Sequence, residues 1–190
     1  MSKTYFVDKD IQGVDFSENE LTIGDYENCN YENCNFANTD LSDINFLECE
    51  FENCDFSMAK ISNTAFQNVR FKTCKLLGLH FEDVNKFLLS LDFVACQLNL
   101  SSFYKLVFKN TSFKDCSLTE VDFTESDLSG SIFDNCELTG TIFENTILEK
   151  ADFRTSYNFS IDPEMNRIKK AKFSNDGIIG LLFKYDIEVE

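Results

Sequence analysis

Large apolar residues recur at every fifth position along most of the chain. From Phe6 to Phe81 each position of this series holds Phe, Tyr, Leu or Ile, and a second series runs without a gap from Phe93 to Phe153. Two residues before each central position lies a second regular site, which mostly holds a small or β-branched residue. The other three positions are mainly Asp, Asn, Glu, Ser, Thr and Lys. Two positions of every five therefore have the character of core positions.

A period of five matches neither an α-helix, which repeats every 3.6 residues, nor a β-strand, which repeats every two. A chain that turns a corner every five residues does present the same two positions inward on each side. Four such sides close a square coil of about 20 residues, whose backbone N–H and C=O groups point toward the next coil about 4.8 Å away. The pattern predicts an all-β solenoid that is stable only when its coils are stacked.

Asn residues are frequent two positions after the central residue, where the corners are expected. Asn tolerates the turn conformations that such corners need, and the chain has only 7 Gly to supply them. We therefore predict corner conformations at the following residues: Asn28, Asn33, Asn38, Asn53, Asn63 and Asn68.

The period is interrupted once and then ends. Segment 82–92 carries two extra residues, and we expect a bulge or bend there in which Phe87, Leu88, Leu89 and Leu91 pack locally; a binding loop is the alternative. The repeats divide into 6–81 and 93–153, within a predicted solenoid of residues 1–163. Residues 164–190 are predicted to form a C-terminal segment with a short helix and a strand, too apolar to be a lone exposed tail.

All 8 cysteines occupy the small inward site, including the pair in the repeated block YENCNYENCNF. Their spacing predicts columns of buried thiols at 29/49, 34/54/74 and 96/116/136. A C-x4-C spacing formally permits zinc, but the Phe-rich core leaves no room for converging ligands. We predict no metal and no cofactor.

Charge and composition limit the function. The net charge is −16, and residues 1–60 alone contain 14 acidic and 3 basic residues, so the chain is expected to repel nucleic acid and phospholipid head groups. No signal segment opens the chain and no apolar run approaches the ~18 residues of a membrane span. We expect a cytoplasmic protein with reduced thiols that binds neither nucleic acid nor membranes.

Enzymatic chemistry finds little support in the sequence. His80 is the one histidine and falls at an outward position, and the Gly residues form no phosphate-binding loop. An acyltransferase of the left-handed β-helix kind needs a six-residue repeat and a catalytic His, which the period of five argues against. We predict a protein that is not an enzyme.

Units such as VDFTE, SDLSG and ADFRT closely resemble those of the pentapeptide-repeat family, over roughly residues 6–155. The resemblance implies a right-handed quadrilateral β-helix. The C-terminal stretches NFSIDPEMNRI and GLLFKYDIEVE are similar to the end of the quinolone-resistance (Qnr-type) and microcin-immunity members. In those proteins the terminal helix and strand join two chains, and the acidic rod binds DNA gyrase or topoisomerase IV where DNA would lie.

That second resemblance implies a homodimer and a DNA-mimicking protein that protects a type II topoisomerase from drugs or toxins. The implied dimer interface comprises Ile178, Leu181, Leu182, Phe183, Ile187 and Val189. The chain departs from the Qnr pattern because its first array has no inserted loop. A rigid scaffold with an unrelated protein partner is the alternative function.

Acidic residues that lie 20 apart are expected to stack on one face of the solenoid. Glu32 and Glu52 form one such pair; Glu20 and Asp40, with Asp43 beside them, form another. Like charges this close are mildly unfavourable. Such an acidic surface is either a tolerant solvated face or a mimic of DNA phosphates.

Overall fold

A parallel ladder joins residues that lie 20 apart, so that central residues stack directly on one another: Phe6 pairs with Tyr26, and Tyr26 with Phe46. The computed structural model describes residues 4–188, which form a parallel β-solenoid of about seven turns. This fold confirms the all-β solenoid predicted from the five-residue period.

We number the four sides of the coil in chain order. Their central residues are Phe6, Tyr26, Phe46, Phe66, Phe108, Leu128 and Leu148 on side 1; Ile11, Tyr31, Phe51, Phe71, Phe93, Phe113, Phe133 and Phe153 on side 2; Phe16, Phe36, Phe56, Leu76, Leu98, Leu118 and Leu138 on side 3; and Leu21, Leu41, Ile61, Phe81, Phe103, Phe123 and Phe143 on side 4.

Sides 1 and 2 carry the extended strands. They are β1 (Thr4–Val7), β2 (Asp10–Gln12), β3 (Gly24–Glu27), β4 (Asn30–Glu32), β5 (Asn45–Leu47), β6 (Glu50–Glu52), β7 (Ala65–Gln67), β8 (Val69–Lys72), β9 (Leu91–Val94), β10 (Ser112–Lys114) and β11 (Ile132–Asp134). Side 1 holds the sheet β1-β3-β5-β7, and side 2 holds the sheet β2-β4-β6-β8-β9-β10-β11. Sides 3 and 4 pair through isolated bridges, for example Asp55 with Lys75 and Asp40 with Lys60.

Aromatic rings fill the interior in stacked columns. On side 2 the ring of Phe113 lies 5.2 Å from that of Phe93 and 5.0 Å from that of Phe133, nearly parallel to both. Neighbouring sides meet edge to face, as Phe51 and Phe56 do. Both arrangements suit the ring quadrupole, so the period of five builds a packed aromatic core rather than a pore.

The corners have left-handed backbone. All six Asn residues predicted to form corners have φ between 50° and 59°. Other residue types occupy the same position elsewhere, including Met58 and Leu100. The conformation is therefore imposed by the coil, and Asn is the residue that adopts it at least cost among those with a side chain.

The interruption is confined to side 1. Asn85 still pairs with Ala65, 20 residues away, whereas Leu91 pairs with Val69 at a separation of 22. A 3₁₀ helix spans Phe81–Asp83 just before the extra residues. Within the part of the chain that the structure describes, no bridge continues the side 1 ladder from Asn85 to Val107.

Our expectation that the interruption packs locally is only half right. Leu91 is buried and Leu89 packs against the core, but Phe87 and Leu88 are 70% and 65% exposed. The coil accommodates the two additional residues by bulging outward, because the stacked interior has no room for them.

The solenoid continues beyond the predicted boundary at residue 163, since Arg167 pairs with Ile147 and Lys172 with Asp152. Two 3₁₀ helices follow, Gly177–Leu181 and Phe183–Tyr185. The predicted terminal strand is absent from residues 186–188, where the described chain offers no strand for it to pair with. Val189 lies outside the described residues.

Candidate binding surfaces

Glu20, Asp40 and Asp43 lie together on side 4, where they line one open groove of about 590 Å³. Lys60 also lines the groove, and its Nζ donates to Asp40 Oδ2 at 2.9 Å. The hydrogen bonds from Ser42 and Lys60 lower the pKa of Asp40 to about 2, so this carboxylate is charged at any physiological pH. The groove is acidic, with one of its charges neutralised.

Further acidic residues continue along side 4 toward the C-terminus. Lys105 pairs with one of them, Glu125, at 3.3 Å, and His80 Nδ1 lies 3.0 Å from Glu82 Oε1. From Glu20 to Glu144 the outward positions of this side hold the acidic residues Glu20, Asp40, Asp43, Glu82, Asp83, Asp122, Glu125 and Glu144. Lys60 and Lys105 are the lysines among these positions.

Glu32 and Glu52 lie on side 2, which is two sides away from side 4 around the coil. Their Cα atoms are paired in the ladder, as predicted, but the next residue of the same column is Lys72. Lys72 also forms an ion pair with Glu50, which Arg70 approaches within 3.9 Å. The five predicted residues therefore form two separate groups. The outward positions of both sides hold eight acidic residues, but on side 2 four basic residues lie among them, namely Arg70, Lys72, Lys114 and Arg154, against two lysines on side 4.

Sequence reasoning missed the acidic residues of side 4 beyond the interruption. The signal was available: once the two extra residues are assigned to side 1, Asp122 and Glu144 fall on the same side as Glu20 and Asp40. Without knowing which side the bulge occupies, the two arrays have no fixed rotation relative to each other.

The C-terminal helices lie against the last coil. Ile161 N–H donates to Gly180 C=O at 2.9 Å, and Lys184 Nζ binds Asp162 at 2.8 Å and Glu164 at 2.7 Å. These two acidic partners raise the pKa of Lys184. A Cβ on Gly180 would lie 2.4 Å from the carbonyl oxygen of Phe159, so only glycine permits this contact.

An apolar surface remains exposed on this segment. Phe183 is 78% exposed, Ile178 and Ile187 are about half exposed, and Leu181 packs against the core. Leu182 is half-buried. An open groove of about 890 Å³ lies beside Phe183, between the 3₁₀ helix Gly177–Leu181 and the last coils. The exposed set also includes two residues absent from our prediction, Ile179 and Tyr185.

The eight cysteines are buried at the small inward site of the coil. Each belongs to the core, and Cys54 Sγ lies 3.5 Å from Tyr31 C=O and 3.3 Å from Glu52 C=O, to which its thiol donates. Burial raises the pKa of Cys49 to about 12, which keeps that thiol protonated. Because the bulge keeps the coils aligned, Cys74 and Cys96 fall in neighbouring coils and the two predicted columns on side 3 form one column of six.

Within residues 4–188 no group of three or more His, Cys, Asp or Glu side chains could hold a metal ion. None of the helices in that same part of the chain has the length and apolar character to cross a bilayer. His80 is exposed and contacts only the Glu82 carboxylate through its ring.

A square solenoid with five-residue sides, an aromatic core and left-handed corners defines a class of repeat proteins. A family model described as "Pentapeptide repeat region" matches residues 24–87 and 88–157. The chain belongs to the pentapeptide-repeat family.

Two solved structures align with most of the chain. Full-length QnrB1, a plasmid-mediated fluoroquinolone resistance protein, aligns with a TM-score of 0.65 at 19% identity, covering 97% of this chain and 100% of QnrB1. HetL, a pentapeptide repeat protein involved in heterocyst differentiation regulation from the cyanobacterium Nostoc, aligns with a TM-score of 0.39 at 15% identity, covering 91% of this chain and 90% of HetL. The comparison with curated proteins by sequence finds no match.

Proposed function

We propose that the protein is a DNA-mimicking binding protein that interacts with a type II topoisomerase, either DNA gyrase or topoisomerase IV, and protects it from quinolone-like drugs or toxins. The likeness to a fluoroquinolone resistance protein along the full length of both chains supports the proposal. It acts in the cytoplasm by binding rather than by catalysis.

The acidic column of side 4 is the observation that carries the proposal. Its eight acidic residues extend over six coil steps, which is about 29 Å at the usual spacing of parallel strands. That is one carboxylate per roughly 3.6 Å, close to the spacing of about 3.4 Å between phosphates along one DNA strand. Lys60 and Lys105 pair with two of these carboxylates, so a surface that binds the phosphate backbone would meet a net six negative charges on this side, about one per 5 Å.

The proposal includes a homodimer formed through the C-terminal segment. Ile178, Phe183 and Ile187 are exposed, and the groove beside Phe183 is mostly apolar. Apolar surface of this kind is commonly covered by a partner, and a two-fold arrangement would set the same patch of each chain against the other. Leu181 and Leu182 would support the interface from beneath, and Val189 belongs to the same proposed interface.

The test compares charge removal on side 4 with equal removal on side 2. One variant carries Glu20→Gln, Asp43→Asn, Asp122→Asn and Glu144→Gln; the matched control carries Glu32→Gln, Glu52→Gln, Asp115→Asn and Asp134→Asn. Both lose four charges from outward positions of the same solenoid. Gyrase supercoiling and fluoroquinolone-stabilised cleavage are measured with each purified protein.

We expect the parent protein and the side 2 control to protect gyrase and the side 4 variant to lose protection. An equal loss of protection in both variants would show that protection depends on the net charge of the protein and not on the acidic residues of side 4. If the parent protein changes neither assay at micromolar concentration, the topoisomerase proposal is wrong and the rigid scaffold with another protein partner is favoured.

A further inference from the structure

The bulge on side 1 places two large apolar side chains in solvent. Phe87 and Leu88 lie at the end of the sheet β1-β3-β5-β7, and Tyr5, which is also largely exposed, lies at its other end. Gln67 Nε2 donates to Phe87 C=O at 3.4 Å, which ties the bulge to the edge of the sheet. The outer face of this sheet is thus bounded by an aromatic side chain at each end.

A shallow groove of about 320 Å³ lies on this face between the two aromatic residues. Its lining includes the outward residues of successive strands, among them Asn45, Leu47 and Ala65. Ala65, one coil step from the bulge, has no long side chain to fill that end of the groove. Four coil steps separate Tyr5 from the bulge, so the groove is about 19 Å long at the usual strand spacing.

The groove is acidic toward its Tyr5 end, whereas Ala65, Gln67 and Asn85 line the other end without charge and Lys86 adjoins Phe87. Asp25 and Glu27 line it, and Asp8 and Glu48 occupy the neighbouring corners. Between Tyr5 and Asn68, the outward positions of side 1 include no Lys or Arg. Beyond the bulge the same side is rich in bases, with Lys109, Lys150, Arg167, Lys169 and Lys170. Asp127 and Glu149, the acidic residues of this side beyond the bulge, form ion pairs with Lys109 and Arg167, so the excess of negative charge lies in the half that carries the groove.

We propose that this groove binds a short, extended, basic segment of a protein partner, with a large apolar side chain at each end of the bound stretch. At about 3.3 Å per residue, six or seven extended residues span the groove. Alternate side chains of such a segment face the sheet, so a Lys or Arg two residues from the Tyr5 end would meet Asp25 and Glu27. The apolar residues at the ends would contact Tyr5 and Phe87, burying rings that are otherwise exposed.

This surface adjoins side 4 but does not depend on the proposed topoisomerase function. It carries an exposed aromatic side chain at each end, whereas the groove on side 4 is lined by Glu20, Asp40 and Asp43 together with Lys60. A partner held on side 1 would lie a quarter turn away from the acidic column. The proposal therefore stands or fails on its own measurement.

The experiment uses an array of seven-residue peptides with Lys at the third and Arg at the fifth position, Thr at the second, fourth and sixth, and every combination of residues at the two ends. A matched array has Glu in place of Lys and Arg. The folded, full-length protein is applied to both, and the strongest peptides are measured in solution by fluorescence polarisation. Phe87→Ser and Glu27→Lys test the groove; Leu100→Ser and Glu120→Lys are the matched controls at exposed corners of side 3.

We expect binding to basic peptides with Phe, Tyr, Leu or Ile at both ends and none to the acidic array. Phe87→Ser and Glu27→Lys should each weaken the affinity by about tenfold or more, and the controls should leave it unchanged. The proposal is overturned if no basic peptide binds, if the control variants weaken binding equally, or if Phe87→Ser abolishes self-association of the protein while leaving peptide binding intact.

Discussion

The corner residues show how the coil imposes a backbone conformation on side chains that do not prefer it. Leu100 has φ 63° and is largely exposed, so burial of its side chain contributes little free energy to offset the strained backbone. A left-handed conformation costs an ordinary L-residue about 1–2 kcal/mol, and Asn less because of its short polar side chain. The non-Asn corners are therefore sites of small, local strain.

We predict that Leu100→Asn stabilises the protein by about 0.5–1 kcal/mol, because it relieves this strain without removing core contacts. Urea denaturation measures the change in the free energy of unfolding. The reverse substitution at an equivalent corner, Asn145→Leu, should destabilise by a similar amount. Equal stability of both variants and the parent protein would show that corner identity is energetically neutral.

Asp152 is the most extensively paired carboxylate near the last coils. Arg154 donates to both of its oxygens, Lys172 Nζ lies 3.3 Å from Oδ2, and the side chain is only 14% exposed. The hydrogen bond from Arg154 is the main cause that lowers the pKa of Asp152 to about 2. Since the folded-state pKa lies below the value of 3.8 for a free side chain, this stabilisation is present above about pH 4 and is lost as the pH falls through about 2.

We predict that Asp152→Asn lowers the free energy of unfolding by about 1 kcal/mol near neutral pH, after allowance for solvent screening. The difference from the parent protein should vanish as the pH approaches 2, which urea denaturation across the pH range tests. Asp122→Asn is the control, since that carboxylate takes part in no ion pair within residues 4–188. If the two proteins still differ in free energy of unfolding at pH 2, the stabilisation does not depend on the ionised carboxylate of Asp152.

At the scale of elements, the bulge is the one place between Tyr26 and Phe153 where the separation of stacked residues departs from 20. Removing Lys86 and Phe87 would leave Val84-Asn85-Leu88-Leu89-Ser90, in which Leu88 takes the central position and Val84 the small inward site. The shortened chain would then have a separation of 20 throughout and could continue the side 1 ladder.

We predict that this two-residue deletion folds, is at least as stable as the parent protein, and slows amide hydrogen exchange around Val107, where the ladder gains a neighbour. Thermal denaturation and hydrogen exchange measure the two effects. Deleting Ser62 and Asn63 instead, in an unbroken part of the coil, is the control and should destabilise severely. If both deletions are equally harmful, the bulge is a required part of the fold.

The sequence predicted the elements wherever the repeat is regular. The inward positions, the Asn corners and the buried cysteines all follow from one physical rule, that only two of five positions face the core. It located the bulge in segment 82–92, but it could not predict that Phe87 and Leu88, which are apolar, are exposed there. Apolar character predicts burial only where the coil has room, and the stacked interior has none for two additional residues.

The acidic surface was predicted less well than the core for a related reason. Glu32 and Glu52 stack as the period requires, but stacking alone does not reveal that Lys72 follows them while Asp122 and Glu144 continue the other column. The function of an outward position depends on the whole column along the solenoid. That column is defined only once the rotation of the second array is known.

For the whole molecule, we predict that the protein is a dimer that Phe183→Asp converts to a monomer. Phe183 is the most exposed apolar side chain among the described residues of the C-terminal segment, and a charge in its place would have to be desolvated on association, which opposes dimer formation. Sedimentation velocity measures the change. Phe87→Asp, at a comparably exposed ring on side 1, should leave the dimer intact. A parent protein that sediments as a monomer would exclude this interface.

The two additional residues at the bulge are absorbed on one side instead of being passed down the chain. Had the coil grown by five residues, every residue beyond it would have rotated by a quarter turn, and the carboxylates near Asp122 would face at right angles to those near Asp40. An insertion that loops out of the coil leaves every later residue on its original side. An insertion of five residues that fits the repeat moves every later residue to the next side. In this architecture, an insertion of irregular length therefore keeps the arrangement of outward side chains, whereas one additional five-residue repeat changes it for all residues beyond the insertion.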